Sequence, residues 1–146
     1  MPFDGTQGRG FASLDELLLD MVEFALEGGR KWTKGRLTRE SKHCLLGAIY
    51  FVRRQTKFGT DDMVAYLGHA VRAKLPEGLI AASLSSKEAI MAFNDEPRRT
   101  FSEVLDVIQD ARELTRTYSC PIEMELAGLQ RGKHLRETAK ELIPAS

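Results

Sequence analysis

Cysteine is nearly missing from this chain. Two residues, Cys44 and Cys120, form neither a disulfide framework nor a metal-ligand spacing. Aromatic residues are sparse at 8%, with one tryptophan, so a stacking platform for single-stranded nucleic acid has little to be built from. Net charge is absent as well: 21 basic residues balance 21 acidic ones. A dedicated nucleic-acid binder is disfavoured on that ground, although local patches can still form. The longest apolar run, from Cys44 to Val52, is too short to span a bilayer. The first residues show no basic stretch followed by an apolar one. A reducing, cytoplasmic setting with no membrane partner is the expectation. Alternating runs of β-branched residues are also scarce, which argues against a sheet protein.

What is present is globular. The chain has 146 residues, 42% hydrophobic and 29% charged, the usual size of one domain. At this length roughly two thirds of the unfolded surface is buried. Residues 1–12, with Gly5, Gly8 and Gly10, show no periodicity and are expected to be a flexible arm. Residues 13–146 are expected to form a single helical domain. Ser13 with Glu16, Ser85 with Glu88 and Thr100 with Glu103 each have the spacing of a capping box.

A helix after Ser13 carries Leu14, Leu17, Leu18, Met21 and Ala25 on one face and ends at Gly28-Gly29. A second fits Ser41 to Thr56, with Leu45, Ala48, Ile49 and Val52 inward. Thr60 can cap a third, which shows Met63, Leu67, Val71 and Leu75 on one face. Residues 77–84 are apolar without a period, and a strand and a buried loop both fit them. A short helix over Ala89–Phe93 follows, then one with Val104, Val107, Ile108, Ala111 and Leu114 inward. Pro121 can open a sixth, with Ile122, Leu126 and Leu129 as its apolar stripe. The pattern continues past Gly132 to Leu135, Ala139 and Leu142. The fold class is all-α, an orthogonal bundle of about six helices.

Charge is unevenly spread. Residues 1–29 hold six acidic residues and one basic, a net of −5. Residues 30–57 hold nine basic and one acidic, a net of +8. The basic segment is expected to lie against the acidic first helix. Alternatively it forms a positive surface for an anionic partner.

Two segments depart from plain helix chemistry. In the first, Cys44 stands near a helix N-terminus beside Lys42 and His43. A thiolate is favoured there, and His69 with Asn94 or Asp95 would complete a Cys-His-Asn/Asp order. The same Cys, followed by Leu-Leu-Gly-Ala-Ile, also suits a small buried hydrophobe. Gly47 and Gly68 interrupt helices at about 1 kcal/mol each relative to Ala, a cost that close helix crossing offsets. The three histidines, His43, His69 and His134, match no ligand spacing, so no metal and no cofactor are expected.

The second segment runs from Phe93 to Thr100. Asn94 suits a left-handed helix C-cap, and Asp95 suits a turn. Arg98 and Arg99 precede a helix N-terminus, an unfavourable end for cations, with Asp95 and Glu96 as the nearest partners. Either these residues lock a rigid corner, or Arg99 and the free N–H groups after Thr100 hold a phosphate or carboxylate. Trp32, among Arg30, Lys31, Lys34, Arg36, Arg39 and Lys42, either stacks on nucleic acid or plugs the core with its N–H bonded to backbone.

Taken together, Trp32 with Gly35, Cys44 with Gly47, Ala48 and Ile49, and Phe93, Asn94, Asp95, Pro97, Arg99 and Thr100 resemble a pattern. It is that of a family of small bacterial and phage proteins with no assigned function, W-x-x-G, C-x-x-G-A-I and aromatic-N-D-x-P-x-R-T. Val104 and Ala111 also look similar, and the match runs over about residues 14–116. This chain has Phe93 where the family often has Trp. The resemblance implies an α-helical cytoplasmic domain and no particular reaction.

The expected role is a non-enzymatic binding or protein-interaction module with a basic surface. Its candidate residues are Trp32, Lys34, Arg36, Asn94, Asp95, Arg98, Arg99 and Thr100. Its partner is expected to be a protein or a small anionic ligand. The alternative is a cysteine-dependent hydrolase or transferase built on Cys44, His69 and Asn94 or Asp95.

Overall fold

Helix-favouring segments separated by capping residues and short turns give an all-α bundle. A computed structural model of the chain describes residues 13–75 and 83–129. The expected arm at 1–12, most of the 77–84 segment, His134 and the stripe from Gly132 to Leu142 lie outside the described residues. Helix α1 spans Leu14–Ala25, followed by a 3-10 turn at Glu27–Gly29. A two-residue hairpin, β1 (Thr38–Arg39) and β2 (Lys42–His43), precedes α2 (Leu45–Thr56). Then come α3 (Asp61–Arg72), α4 (Ser86–Asp95) and α5 (Phe101–Thr117). Helical structure resumes over 121–129. None of the described helices is long and apolar enough to cross a membrane.

Helix α3 is central, packing most extensively against α4 and α5, while α1 lies against α2 and α5. The core is one cluster that draws on every helix: Leu19 and Val22, Leu45 and Ile49, Met63 and Leu67, Ile90 and Phe93, Val107 and Ile108. Tyr66 is buried within it and donates its hydroxyl to the Tyr118 carbonyl beyond α5.

Two of the three capping boxes form. Ser85 with Glu88 and Thr100 with Glu103 exchange both bonds. At Ser13 only half forms: the hydroxyl accepts from the Glu16 N–H at 3.1 Å. The Glu16 carboxylate turns away, because Arg116 of α5 donates its Nε–H to it at 2.7 Å. A tertiary ion pair has displaced the local reciprocal bond.

The apolar stripe of α1 divides. Leu18 faces the core with Leu19, Val22 and Leu26, whereas Leu14, Leu17, Met21 and Phe24 are exposed. The helix is apolar on two sides, and periodicity alone does not say which side meets the bundle. The 121–129 helix is likewise turned. Met124 is its buried side chain, while Ile122, Leu126 and Leu129 face solvent.

Helix α2 begins at Leu45 rather than Ser41, since residues before it are held in extended pairing. His43 donates its N–H to Lys31 O at 2.6 Å, and Thr33 donates to His43 O at 2.9 Å. Cys44 N–H donates to Leu37 O at 3.1 Å. This lays the Leu37 carbonyl across the first turn of α2. A Cβ on Gly47 would fall 1.7 Å from that oxygen. Gly47 therefore serves close approach, of a loop rather than of a second helix. Gly68 does serve helix crossing, as a Cβ there would meet Ser86 of α4 at 2.6 Å.

Candidate functional site

The unusual residues of both odd segments converge, and they do so around Asn94. Asn94 lies inside α4, fully buried, and not at a left-handed C-cap. The helix ends at Glu96, with φ −58° and ψ 128°, because Pro97 disfavours helical backbone before it. A primary amide can accept two hydrogen bonds and donate two, and Asn94 makes all four. Its Oδ1 accepts from Trp32 Nε1–H at 2.6 Å and from Leu45 N–H at 3.0 Å. Its Nδ2 donates to Thr33 O at 3.1 Å and to Asp95 Oδ1 at 3.0 Å. Asp95 Oδ1 also accepts from Gly35 N–H at 2.8 Å, where the backbone turns with φ +78°. That is a conformation open chiefly to glycine. Lys34 completes the knot by donating to the Glu96 and Pro97 carbonyls at 2.9 and 3.0 Å.

Trp32 is half-buried. Its indole N–H is bonded to a side chain and not to backbone, and its ring packs on Phe101 with centroids 5.8 Å apart. That ring is thereby engaged within the fold. Arg99 extends over the Phe93 ring and donates Nε–H to Phe93 O at 2.8 Å. Its ion pair is with Glu103, at 3.0 Å, in place of the expected Asp95 or Glu96. Glu103 also accepts from the Thr100 N–H at 2.9 Å. A carboxylate of the protein itself therefore occupies the position an anion would take at this helix end, and these bonds hold it below the usual carboxylate range. Arg98 is exposed, and its backbone N–H donates to the Glu96 carboxylate at 3.1 Å.

Cys44 is 3% exposed and caps α2, its Sγ accepting from Gly47 N–H at 3.2 Å. Burial pushes its thiol up, the opposite of the direction a helix N-terminus would give by itself. His69 is exposed in the last turn of α3. The structure thus brings Cys44 together with Asn94 and Asp95 and leaves His69 on an exposed position. No group of three metal-ligating side chains occurs among the described residues.

The charge asymmetry resolves differently from the expected internal pairing. Acidic residues of α1 are bonded by α5. Arg112 reaches Asp20 at 2.7 Å and Glu23 at 3.0 Å, and Arg116 reaches Glu16. Among the described residues, the basic segment's one ion pair is the exposed Arg30–Glu27 contact. Arg36, Arg39, Lys42, Arg53, Arg54 and Lys57 are all exposed and meet no carboxylate of the described residues within ion-pair distance. Arg53, Arg54 and Lys57 at the end of α2 carry no sequence-level motif and were missed by motif reasoning; only the summed charge of residues 30–57 pointed to them.

Between the basic loop and α1 lies an open cleft of about 490 Å³, lined by Phe24, Lys31, Glu40, His43, Phe51 and Arg54 among others. His43 is buried there, bonded through Nδ1 to Thr38 Oγ1 at 3.1 Å and tilted on Phe51. Burial and then the charges of Arg54 and Lys31 hold its imidazole below the usual value. Beside this cleft is an apolar groove of about 540 Å³ lined by Leu17, Met21, Phe24, Phe51, Val52 and Gln55 among others.

Residues 19–114 match a family described as a family of unknown function (DUF6197). No curated protein and no solved structure matches the chain.

Proposed function

The chain belongs to this family of unknown function, and since that membership names no reaction, we propose from the geometry that it is a non-enzymatic binding module. Its working surface is the cationic face of the hairpin and the end of α2, formed by Arg36, Arg39, Lys42, Arg53, Arg54 and Lys57. The observation that carries this is their lack of carboxylate partners among the described residues. Meanwhile the polar groups of the Trp32–Asn94–Arg99 knot are bonded internally. The corner Asn94–Thr100 and Trp32 then act as the support that holds the basic loop in place.

The partner chemistry is a carboxylate-bearing protein surface. Single-stranded nucleic acid is less well matched, since Trp32 is packed on Phe101 and hydrogen-bonded through its indole. A small anion is a second reading, favoured by the cleft where Lys31 and Arg54 flank His43.

The test uses the full chain with three probes: polyglutamate, a single-stranded oligonucleotide and inorganic phosphate, each titrated at low and at physiological salt. Polyglutamate is expected to bind in a salt-dependent way. The triple substitution Arg36→Glu, Arg39→Glu, Lys42→Glu is expected to weaken it at least about tenfold, about 1.4 kcal/mol. No polyglutamate binding at low salt, or binding indifferent to the substitutions, refutes the proposal. Tighter binding of the oligonucleotide would replace the protein partner with a nucleic acid.

A further inference from the structure

The cleft between the basic loop and α1 contains a side chain whose hydrogen-bonding capacity is not used up. His43 is 8% exposed and lines that cleft of about 490 Å³. The size falls within the range of about 300–1,000 Å³ usual for small-molecule sites. Its Nδ1 is bonded to Thr38 Oγ1 at 3.1 Å, and among the described residues its Nε2 has no partner. A buried polar atom ordinarily has one. In the tautomer where the Thr38 hydroxyl donates to Nδ1, the proton stands on Nε2 as a free donor.

Two cations stand at the same end. Arg54 and Lys31 both line the cleft, and after burial they are the charges that hold the imidazole below its usual value. Lys31 donates to Ser41 Oγ at 2.7 Å, and neither cation meets a carboxylate of the described residues. The rest of the wall includes two aromatic rings. Phe51 lies on the His43 ring with centroids 5.0 Å apart, and Phe24 lines the cleft from α1. Two carboxylates complete the charges. Arg30 engages Glu27 at 3.4 Å, while Glu40 has no cation of the described residues within ion-pair distance. An unpaired Glu40 in the lining repels a ligand that carries a second negative charge.

We infer that this cleft binds a small aromatic monocarboxylate, its carboxylate on Arg54, Lys31 and His43 Nε2 and its ring against Phe51 and Phe24. The inference rests on the small-anion reading given above and narrows it. A guanidinium holds a carboxylate with two parallel bonds, and aromatic walls hold a ring beyond its buried area. Arg54 is common to the cleft and the polyglutamate face. Arg36, Arg39 and Lys42, which test that face, lie outside the cleft lining.

The experiment titrates the full chain at neutral pH and physiological salt with 3-phenylpropanoate, propanoate and 3-phenylpropanol. Imidazole nitrogen signals are followed by NMR, with His43 assigned by its loss in His43→Asn. 3-Phenylpropanoate is expected to saturate and to move the His43 Nε2 signal. It is expected to bind at least about tenfold tighter than propanoate, which lacks the ring, and than the alcohol, which lacks the charge. Arg54→Gln, at an exposed position, is expected to weaken it about tenfold, and Phe51→Leu to weaken it as well. Lys87→Gln, which removes an exposed cation on α4, is expected to leave it unchanged. Propanoate or phosphate binding as tightly as 3-phenylpropanoate would keep the small-anion reading and overturn this inference. Binding that leaves the His43 signal in place, or that Arg54→Gln does not weaken, also overturns it. No binding of any anion removes both.

Discussion

Replacing Asn94 by alanine tests whether one amide fastens the basic loop to the bundle. The substitution leaves three groups without their partner: Leu45 N–H, Trp32 Nε1–H and the Thr33 carbonyl. A buried polar group left unpaired costs about 1–3 kcal/mol. Leu45 N–H is buried, while the Trp32 and Thr33 bonds are only partly so, and water can meet some of that loss. The expected destabilisation is about 3–5 kcal/mol, out of a total that for domains is about 5–15 kcal/mol. For a chain of this length that lowers the melting temperature by about 10–15 °C.

Asn94→Asp keeps both acceptor positions but loses the donors, and sets a carboxylate against Asp95. It is expected to be at least as damaging at neutral pH and to recover partly in acid. Urea unfolding followed by circular dichroism measures both. The double-mutant cycle with Trp32→Phe should show a coupling of about 1 kcal/mol or more. A loss below about 1 kcal/mol for Asn94→Ala, or strict additivity with Trp32→Phe, would refute the idea that the amide is the fastening.

Two further outcomes are expected. Because burial pushes the Cys44 thiol up, a thiol reagent should label Cys120 in the native protein and reach Cys44 only on unfolding. Fast native labelling of Cys44 with a depressed pKa would restore a nucleophilic role. The His43 imidazole is held below its ordinary value of 6.5 by burial, Arg54 and Lys31, with Glu27 and Glu40 lining the same cleft. The unfolded chain then takes up a proton that the folded one refuses, so this contribution is full above about pH 6.5 and is lost as pH falls below it. Unfolding at pH 7.5 and pH 5 should show a smaller drop for His43→Asn than for wild type; an equal drop would rule out His43 as the source.

The helices were legible where their signals are local. Ser85 with Glu88 and Thr100 with Glu103 cap helices within four residues, so the sequence carries the whole interaction. Ser13 with Glu16 has the same spacing and closes only half, because Arg116 lies 100 residues away in sequence. Asn94 stands inside its helix and not at the C-cap that local chemistry suggests, since its partners at Trp32 and Leu45 are 62 and 49 residues distant. The hairpin at Thr38–His43 went unread because two-residue strands have no periodicity to detect. In α1, Leu14, Leu17 and Met21 shared a stripe with the buried Leu18, and only tertiary packing separates the inward side from the outward one.

The fastening of residues 32–35 has a thermodynamic consequence for recognition. The loop that carries Arg36, Arg39 and Lys42 has just four residues in regular strand. Yet it is anchored at one end through Trp32, Thr33 and Gly35, and at the other through His43 and Cys44. A loop held at both ends loses little conformational entropy when a partner arrives. In the binding role proposed above, its cations would meet a partner in a geometry set before encounter, and selectivity among anionic surfaces would follow from the spacing of charges that folding has already fixed.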